Sequence, residues 1–184
     1  MLRRLLVLLC AIPLLLAAAS SANASIPPHY RIGTPDLNAY CASRGDTAAV
    51  LDGPTAYDWH CVTSQGARSR IYFDVACQQQ YGQGNTTDRI ENFYDPTSVS
   101  CWRVASLVYV PPNLAAYCQR ALHHDGVVLT GATVYDWHCV DYSRAGASLY
   151  GISMPDVCIW SSGGYRAVDR FVDFYAPNSW RCFM

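Results

Sequence analysis

The chain is 184 residues long with 13 basic and 14 acidic residues, a formal net charge of −1 and no lysine, so every basic side chain besides histidine is an arginine. A balance this close to neutral, with no cationic run beyond the N-terminus, gives no electrostatic footprint for nucleic acid or an anionic membrane. The 13 tyrosines and 5 tryptophans belong, with arginine, to the types enriched at binding hot spots, but they also fill cores, so composition does not choose between those uses.

In chain order the first element reads as an export signal. Met1-Leu2-Arg3-Arg4 precedes an apolar run from Leu5 to Ala19 broken by Pro13, and small residues follow to Ala22-Asn23-Ala24. A basic start, an apolar centre and an A-x-A site predict cleavage after Ala24, a mature chain starting at Ser25, and no retained membrane span. Arg3-Arg4 lacks the polar surround of a twin-arginine signal, and Cys10 has too short an apolar stretch before it for a lipid-attachment site. The other eight of the nine cysteines are Cys41, Cys61, Cys77, Cys101, Cys118, Cys139, Cys158 and Cys182. An even count in an exported chain predicts disulfides. No Cys-x-x-Cys spacing occurs, so neither a zinc ribbon nor a thioredoxin-like centre is indicated, and no cofactor or metal is expected.

The chain then repeats itself. Pro35-Asp36-Leu37-Asn38-Ala39-Tyr40-Cys41 matches Pro112-Asn113-Leu114-Ala115-Ala116-Tyr117-Cys118, and Tyr57-Asp58-Trp59-His60-Cys61-Val62 matches Tyr135-Asp136-Trp137-His138-Cys139-Val140. Asp88-Arg89, Phe93-Tyr94, Pro96, Ser98 and Cys101 return as Asp169-Arg170, Phe174-Tyr175, Pro177, Ser179 and Cys182. The reading is a signal peptide over 1–24, a lead over 25–34, one module over 35–104, a linker over 105–111 and a second module over 112–184. Modules of this size bury small cores, so two bridges within each are physically expected.

Each module opens with a helix, with Thr34 as cap and Pro35 in the first turn, Leu37, Tyr40 and Cys41 on one face, and Gly45 as the stop. A hairpin follows, from 48–51 or 127–130 into 56–63 or 134–141, then a third strand at 71–73 or 149–152. Asp74 or Ser153 caps a second helix carrying Cys77 or Cys158. In the second module Val168, Phe171, Val172 and Tyr175 fall at helical spacing and predict another helix before a closing strand. The class is α+β, a small antiparallel sheet with two to three helices, made twice. Alternation along the second hairpin strand puts Tyr57, Trp59 and Cys61 on the core face. Of the three connectivities open to each module, that favours Cys61 with Cys101 and Cys41 with Cys77, and correspondingly Cys139 with Cys182 and Cys118 with Cys158.

The same alternation sets Asp58 beside His60, and Asp136 beside His138, on the outer face about 7 Å apart. A carboxylate next to an imidazole can orient a general base or share a ligand. A solvated strand face carries the same pattern, and one such pair per module supplies too few ligands for zinc. Tyr57, Trp59, Tyr72, Tyr81, Phe93 and Tyr94, with Tyr135, Trp137, Tyr150, Trp160, Phe174 and Tyr175, include more rings than exposed platforms require, so most belong to the core. Asn85-Thr86-Thr87 is a glycosylation sequon in one module only, and His123-His124 lies outside the repeat. No Gly-x-Ser-x-Gly, His-Glu-x-x-His or phosphate-cradling glycine loop occurs, which gives no support to a hydrolase.

At Tyr-Asp-Trp-x-Cys-Val, preceded in the first module by Asp-Leu-Asn-Ala-Tyr-Cys, the sequence resembles small cysteine-containing modules of secreted proteins from actinobacteria and related soil bacteria. The resemblance covers both modules. It implies export, modularity and an accessory role, and carries no catalytic residue with it. The expected function is a secreted two-site binding module for carbohydrate or another cell-envelope component, two held sites gaining avidity on a repetitive target. The alternative is a structural or protein-interaction factor, inhibitor-like, with a protein as partner.

Overall fold

The computed structural model describes residues 29–184 except Arg144. The expected export signal and its expected cleavage site lie outside the described residues. Among the described residues twelve strands form four antiparallel three-stranded sheets around four α-helices, an α/β arrangement held by four disulfides. No helix among the described residues is long and apolar enough to cross a membrane.

The first half runs β1 (Tyr30–Gly33), α1 (Leu37–Ser43), β2 (Ala48–Leu51), β3 (Trp59–Val62), β4 (Arg68–Arg70), α2 (Phe73–Tyr81), β5 (Thr86–Ile90) and β6 (Val99–Arg103). The second runs β7 (Tyr109–Val110), α3 (Leu114–Ala116) continuing as a π turn over Tyr117–Ala121, β8 (Gly126–Leu129), β9 (Trp137–Ser143), β10 (Gly146–Gly151), α4 (Met154–Ser161), β11 (Val168–Phe171) and β12 (Trp180–Phe183). The sheets have orders β2-β3-β4 and β1-β6-β5 in the first half, β8-β9-β10 and β11-β12-β7 in the second. The segments expected as lead and linker therefore each supply a strand, β1 against β6 and β7 against β12.

The cysteine pairing expected from strand alternation is corrected. Cys41 bonds Cys61, Cys77 bonds Cys101, Cys118 bonds Cys139 and Cys158 bonds Cys182. The expectation put the closing strand in the same sheet as the hairpin. Instead each half splits into two small sheets, and each sheet is stapled to the helix packed on it: α1 to β3, α2 to β6, and likewise in the second half. Closing loops of 20 to 24 residues corresponds to about 3 kcal/mol per bridge in the chain-entropy account.

Local details shift for identifiable reasons. The cap of α1 is Asp36, whose carboxylate accepts from the Ala39 amide at 2.9 Å, and Asn113 does the same for Ala116 at 3.0 Å. Gly45 follows the helix with φ 84°, a conformation that favours glycine. In the first half the third strand precedes Ile71, and Phe73 starts α2, with Tyr72 rather than Asp74 at the cap. The helix expected through Val168 and Phe171 is strand β11. It packs against both α4 and β5, so both its faces are largely buried and the alternation that marks a strand is lost.

One hydrophobic core joins the halves, with Tyr40, Phe73, Phe93 and Val99 from the first packed in the same cluster as Tyr117, Val134, Phe171 and Phe174 from the second. Phe93 and Phe174, each 1% exposed, stack with centroids 3.6 Å apart and planes 7° from parallel.

Candidate functional site

Asp58 and Asp136 stand where a 3₁₀ or equivalent turn leads into β3 and β9, and their carboxylates close that turn. Asp58 Oδ2 accepts from the Thr55 amide at 2.8 Å and from its hydroxyl at 2.7 Å; Asp136 Oδ2 accepts from Thr133 at 2.7 Å in both bonds. The hydroxyl and then the amide hold each carboxyl below the ordinary aspartate range. A Cβ on Gly53 would lie 2.6 Å from the Asp58 carboxylate, and one on Gly131 would lie 2.5 Å from that of Asp136, which accounts for the paired glycines. His60 Nδ1 lies 3.0 Å from the Asp58 carbonyl oxygen and 3.3 Å from Asp52 Oδ2, while His138 Nδ1 lies 3.1 Å from the Asp136 carbonyl oxygen and 3.2 Å from Thr130 Oγ1. The expected Asp–His pairs are thus adjacent, but each carboxylate is taken up by the threonine three residues before it. The strand alternation that set them on one face does not hold, because Ala56–Asp58 is helical. Among the described residues no group of three or more His, Cys, Asp or Glu side chains is placed to hold a metal.

The repeated residues meet across the junction by exchange. The Tyr57 hydroxyl accepts from the Phe174 amide at 3.1 Å, and the Tyr135 hydroxyl accepts from the Phe93 amide at 3.2 Å. Within each half, the Ala56 amide donates to the Phe93 carbonyl at 2.8 Å and the Val134 amide to that of Phe174 at 2.9 Å, which holds each phenylalanine loop beside its tyrosine turn. Arg170 pairs with Asp88 at 2.5 Å, and Arg89 with Asp169 at 2.9 Å. Burial pushes both aspartates up from their ordinary range, against the pull of their arginine partners. Burial likewise raises the Tyr57 and Tyr135 hydroxyls.

Around the stacked phenylalanines stand four tyrosines. Tyr57 and Tyr135 are edge-on to Phe93 and Phe174 at 5.1 and 5.6 Å and carry the hydrogen bonds just given. Tyr94 and Tyr175 are edge-on to both phenylalanines, and are 62% and 67% exposed. Their loops are braced alike: Ser98 Oγ donates to the Asn92 carbonyl and accepts its amide, Ser179 Oγ does so for Asp173, and the indoles of Trp59 and Trp137 donate to the carbonyls of Pro96 and Pro177 at 2.9 Å. The outcome is one aromatic face with an exposed tyrosine from each half, held on rigid loops.

Three other features belong to one half only. A shallow groove of about 440 Å³ in the second half runs over Pro111, Pro112, Leu114 and Trp137. His124, which lies outside the matched segments, is half-buried, lies 3.0 Å from Asp141 and stacks on Tyr150 at 4.4 Å. The sequon is poorly placed for a glycan: Asn85 Nδ2 donates to the Ala105 carbonyl at 2.6 Å, and Thr86 and Thr87 are buried in β5.

Sequence reasoning named Tyr94 and Tyr175 only within a dozen aromatics. Their signal was that both modules keep a large ring directly after a core phenylalanine, in a loop closed by proline and serine. No family model matches this chain, and comparison with curated proteins and with solved structures finds no match to either.

Proposed function

We propose that this protein is an exported carbohydrate-binding protein, built by tandem duplication of one disulfide-stapled module, which grips a cell-envelope glycan with the Tyr94/Tyr175 face. The observation that carries the reading is the pair itself. Two large rings are kept exposed at corresponding positions, on loops braced by the same hydrogen bonds, although solvent exposure of a tyrosine gives the fold no stability. An exposed ring on a preordered loop offers a sugar a stacking surface at little entropic cost.

The two sites are not distant. Both tyrosines flank one stacked phenylalanine pair, so they address neighbouring positions along one chain and gain by fixed spacing. The expected resemblance to secreted bacterial modules and the four disulfides fit the same reading, as does the core shared between the halves.

The test is sedimentation of the oxidised protein with insoluble envelope polysaccharides, alongside a glycan array. Tyr94→Ala and Tyr175→Ala are each expected to weaken binding about tenfold and the double variant to abolish it, with the fold retained by circular dichroism although the edge-on contacts to Phe93 and Phe174 are lost. Undiminished retention by the double variant would overturn the site. Capture of one protein partner with no glycan bound would favour the interaction-factor reading instead.

A further inference from the structure

The junction encloses a second feature, which the aromatic face does not use. A cavity of about 270 Å³ opens between the halves, walled by β4, the start of α2, β5, β11 and β12. Three arginines and two aspartates line it. Arg170 accounts for both acids, pairing with Asp88 at 2.5 Å and with Asp74 at 3.4 Å. Arg70 and Arg181 remain, and among the described residues neither meets a carboxylate. Each is instead laid over aromatic rings: Arg70 at 5.0 Å from the centroid of Tyr57 and 5.7 Å from that of Tyr72, Arg181 at 4.5 Å from that of Tyr109. Stacking holds a guanidinium in place while leaving its in-plane donors open.

Comparison with the other side of the junction shows that the frame does not need these charges. Arg70 pairs with His60 across β3 and β4, and Gly151 pairs with His138 across β9 and β10, so Gly151 occupies the corresponding position. By the same count Ser153 corresponds to Tyr72. Arg181 faces Arg170 across β11 and β12, and Ser100 faces Arg89 across β5 and β6. Tyr135 keeps its place and its hydrogen bond with no arginine over it. The charges and Tyr72 are present on one side only of an otherwise reciprocal junction.

We propose that this cleft is a binding site for a ring-sized organic anion, whose carboxylate or phosphate oxygens are taken by the open guanidinium donors of Arg70 and Arg181 while its body lies against Tyr72. Three cations against two acids leave the lining net positive, and the volume is at the lower end of small-molecule pockets, suited to one ring rather than a chain.

Nuclear magnetic resonance titration of the oxidised protein with glucuronate, glucose 6-phosphate and glucose tests this. One or both anions are expected to bind at least tenfold tighter than glucose, to shift signals of the cleft, and to weaken as salt rises. The two anion arms tell a carboxylate ligand from a phosphate one. Arg70→Gly and Arg181→Ser install what the other half carries and are expected to keep the fold while each lowers anion affinity about tenfold. Tyr94→Ala/Tyr175→Ala is expected to leave anion binding intact, so failure of the glycan site and failure of this one are separable. Equal binding of all three probes, or unchanged anion binding in the double arginine variant, would overturn the proposal.

Discussion

Where the halves touch, each of Tyr57 and Tyr135 takes an amide of the other half, Phe93 stacks on Phe174, and each of Arg89 and Arg170 pairs with a buried aspartate of the other half; where a hollow is left, Arg70, Tyr72 and Arg181 correspond to Gly151, Ser153 and Ser100. The difference separates two kinds of constraint. A contact made reciprocally is required by both halves at once, so a change on one side breaks the fit on the other. A cleft lining carries no such double requirement and is free to differ.

The stacked phenylalanines test the first part most severely. Phe93→Ala and Phe174→Ala each remove a fully buried ring from the shared core, and each is expected to lower stability by about 3 to 5 kcal/mol. Because the core is continuous, either variant should melt in one transition, and the double variant should cost less than the sum of the singles, since the first deletion already strips the second ring of its partner. Calorimetry showing two transitions would mean that the halves are independent bodies.

The hydroxyls of Tyr57 and Tyr135 refine the comparison. Replacement by phenylalanine leaves the Phe174 or Phe93 amide without its acceptor, an effect of about 1 to 2 kcal/mol. The Tyr57 hydroxyl also donates to the Val172 carbonyl at 3.3 Å, so Tyr57→Phe should be the costlier of the two in chemical denaturation. Equal costs would mean that this longer bond contributes nothing.

Much of the half-by-half plan was legible in the sequence. The first helix, the first hairpin strands and the use of all eight cysteines within their own halves follow from spacing alone. The pairing was not: Tyr57, Trp59 and Cys61 do face the core, but nothing local says that the short strands of each half divide into two sheets, which takes Cys101 away from Cys61. The exchange was written only faintly, in Asp88-Arg89 and Asp169-Arg170. Neighbours on a strand point to opposite faces, so each acid needs an arginine from elsewhere, and the other half supplies it. The cleft could not have been found from the repeat, since it lies in the residues that fail to repeat.

The smallest expected effect concerns the Asp58 and Asp136 turns, which should be interchangeable. Threonine hydrogen bonds hold both folded-state carboxyls below the value they take in the unfolded chain, roughly 3.9. A group depressed on folding stabilises the protein fully above that unfolded value, and the stabilisation is lost as pH falls through the lower folded one. Acidification below about pH 4 should therefore lower the melting temperature of the native protein, and Asp58→Asn with Asp136→Asn should flatten that decline while changing little near neutrality. Asp95, held down in the same way by Thr97, remains, so the slope is reduced rather than removed. The two single variants should flatten it by similar amounts, because in each turn a threonine amide and hydroxyl reach the carboxylate at 2.7 to 2.8 Å; a markedly larger effect at Asp58 would show that the His60–Asp52 contact reaches into the first turn.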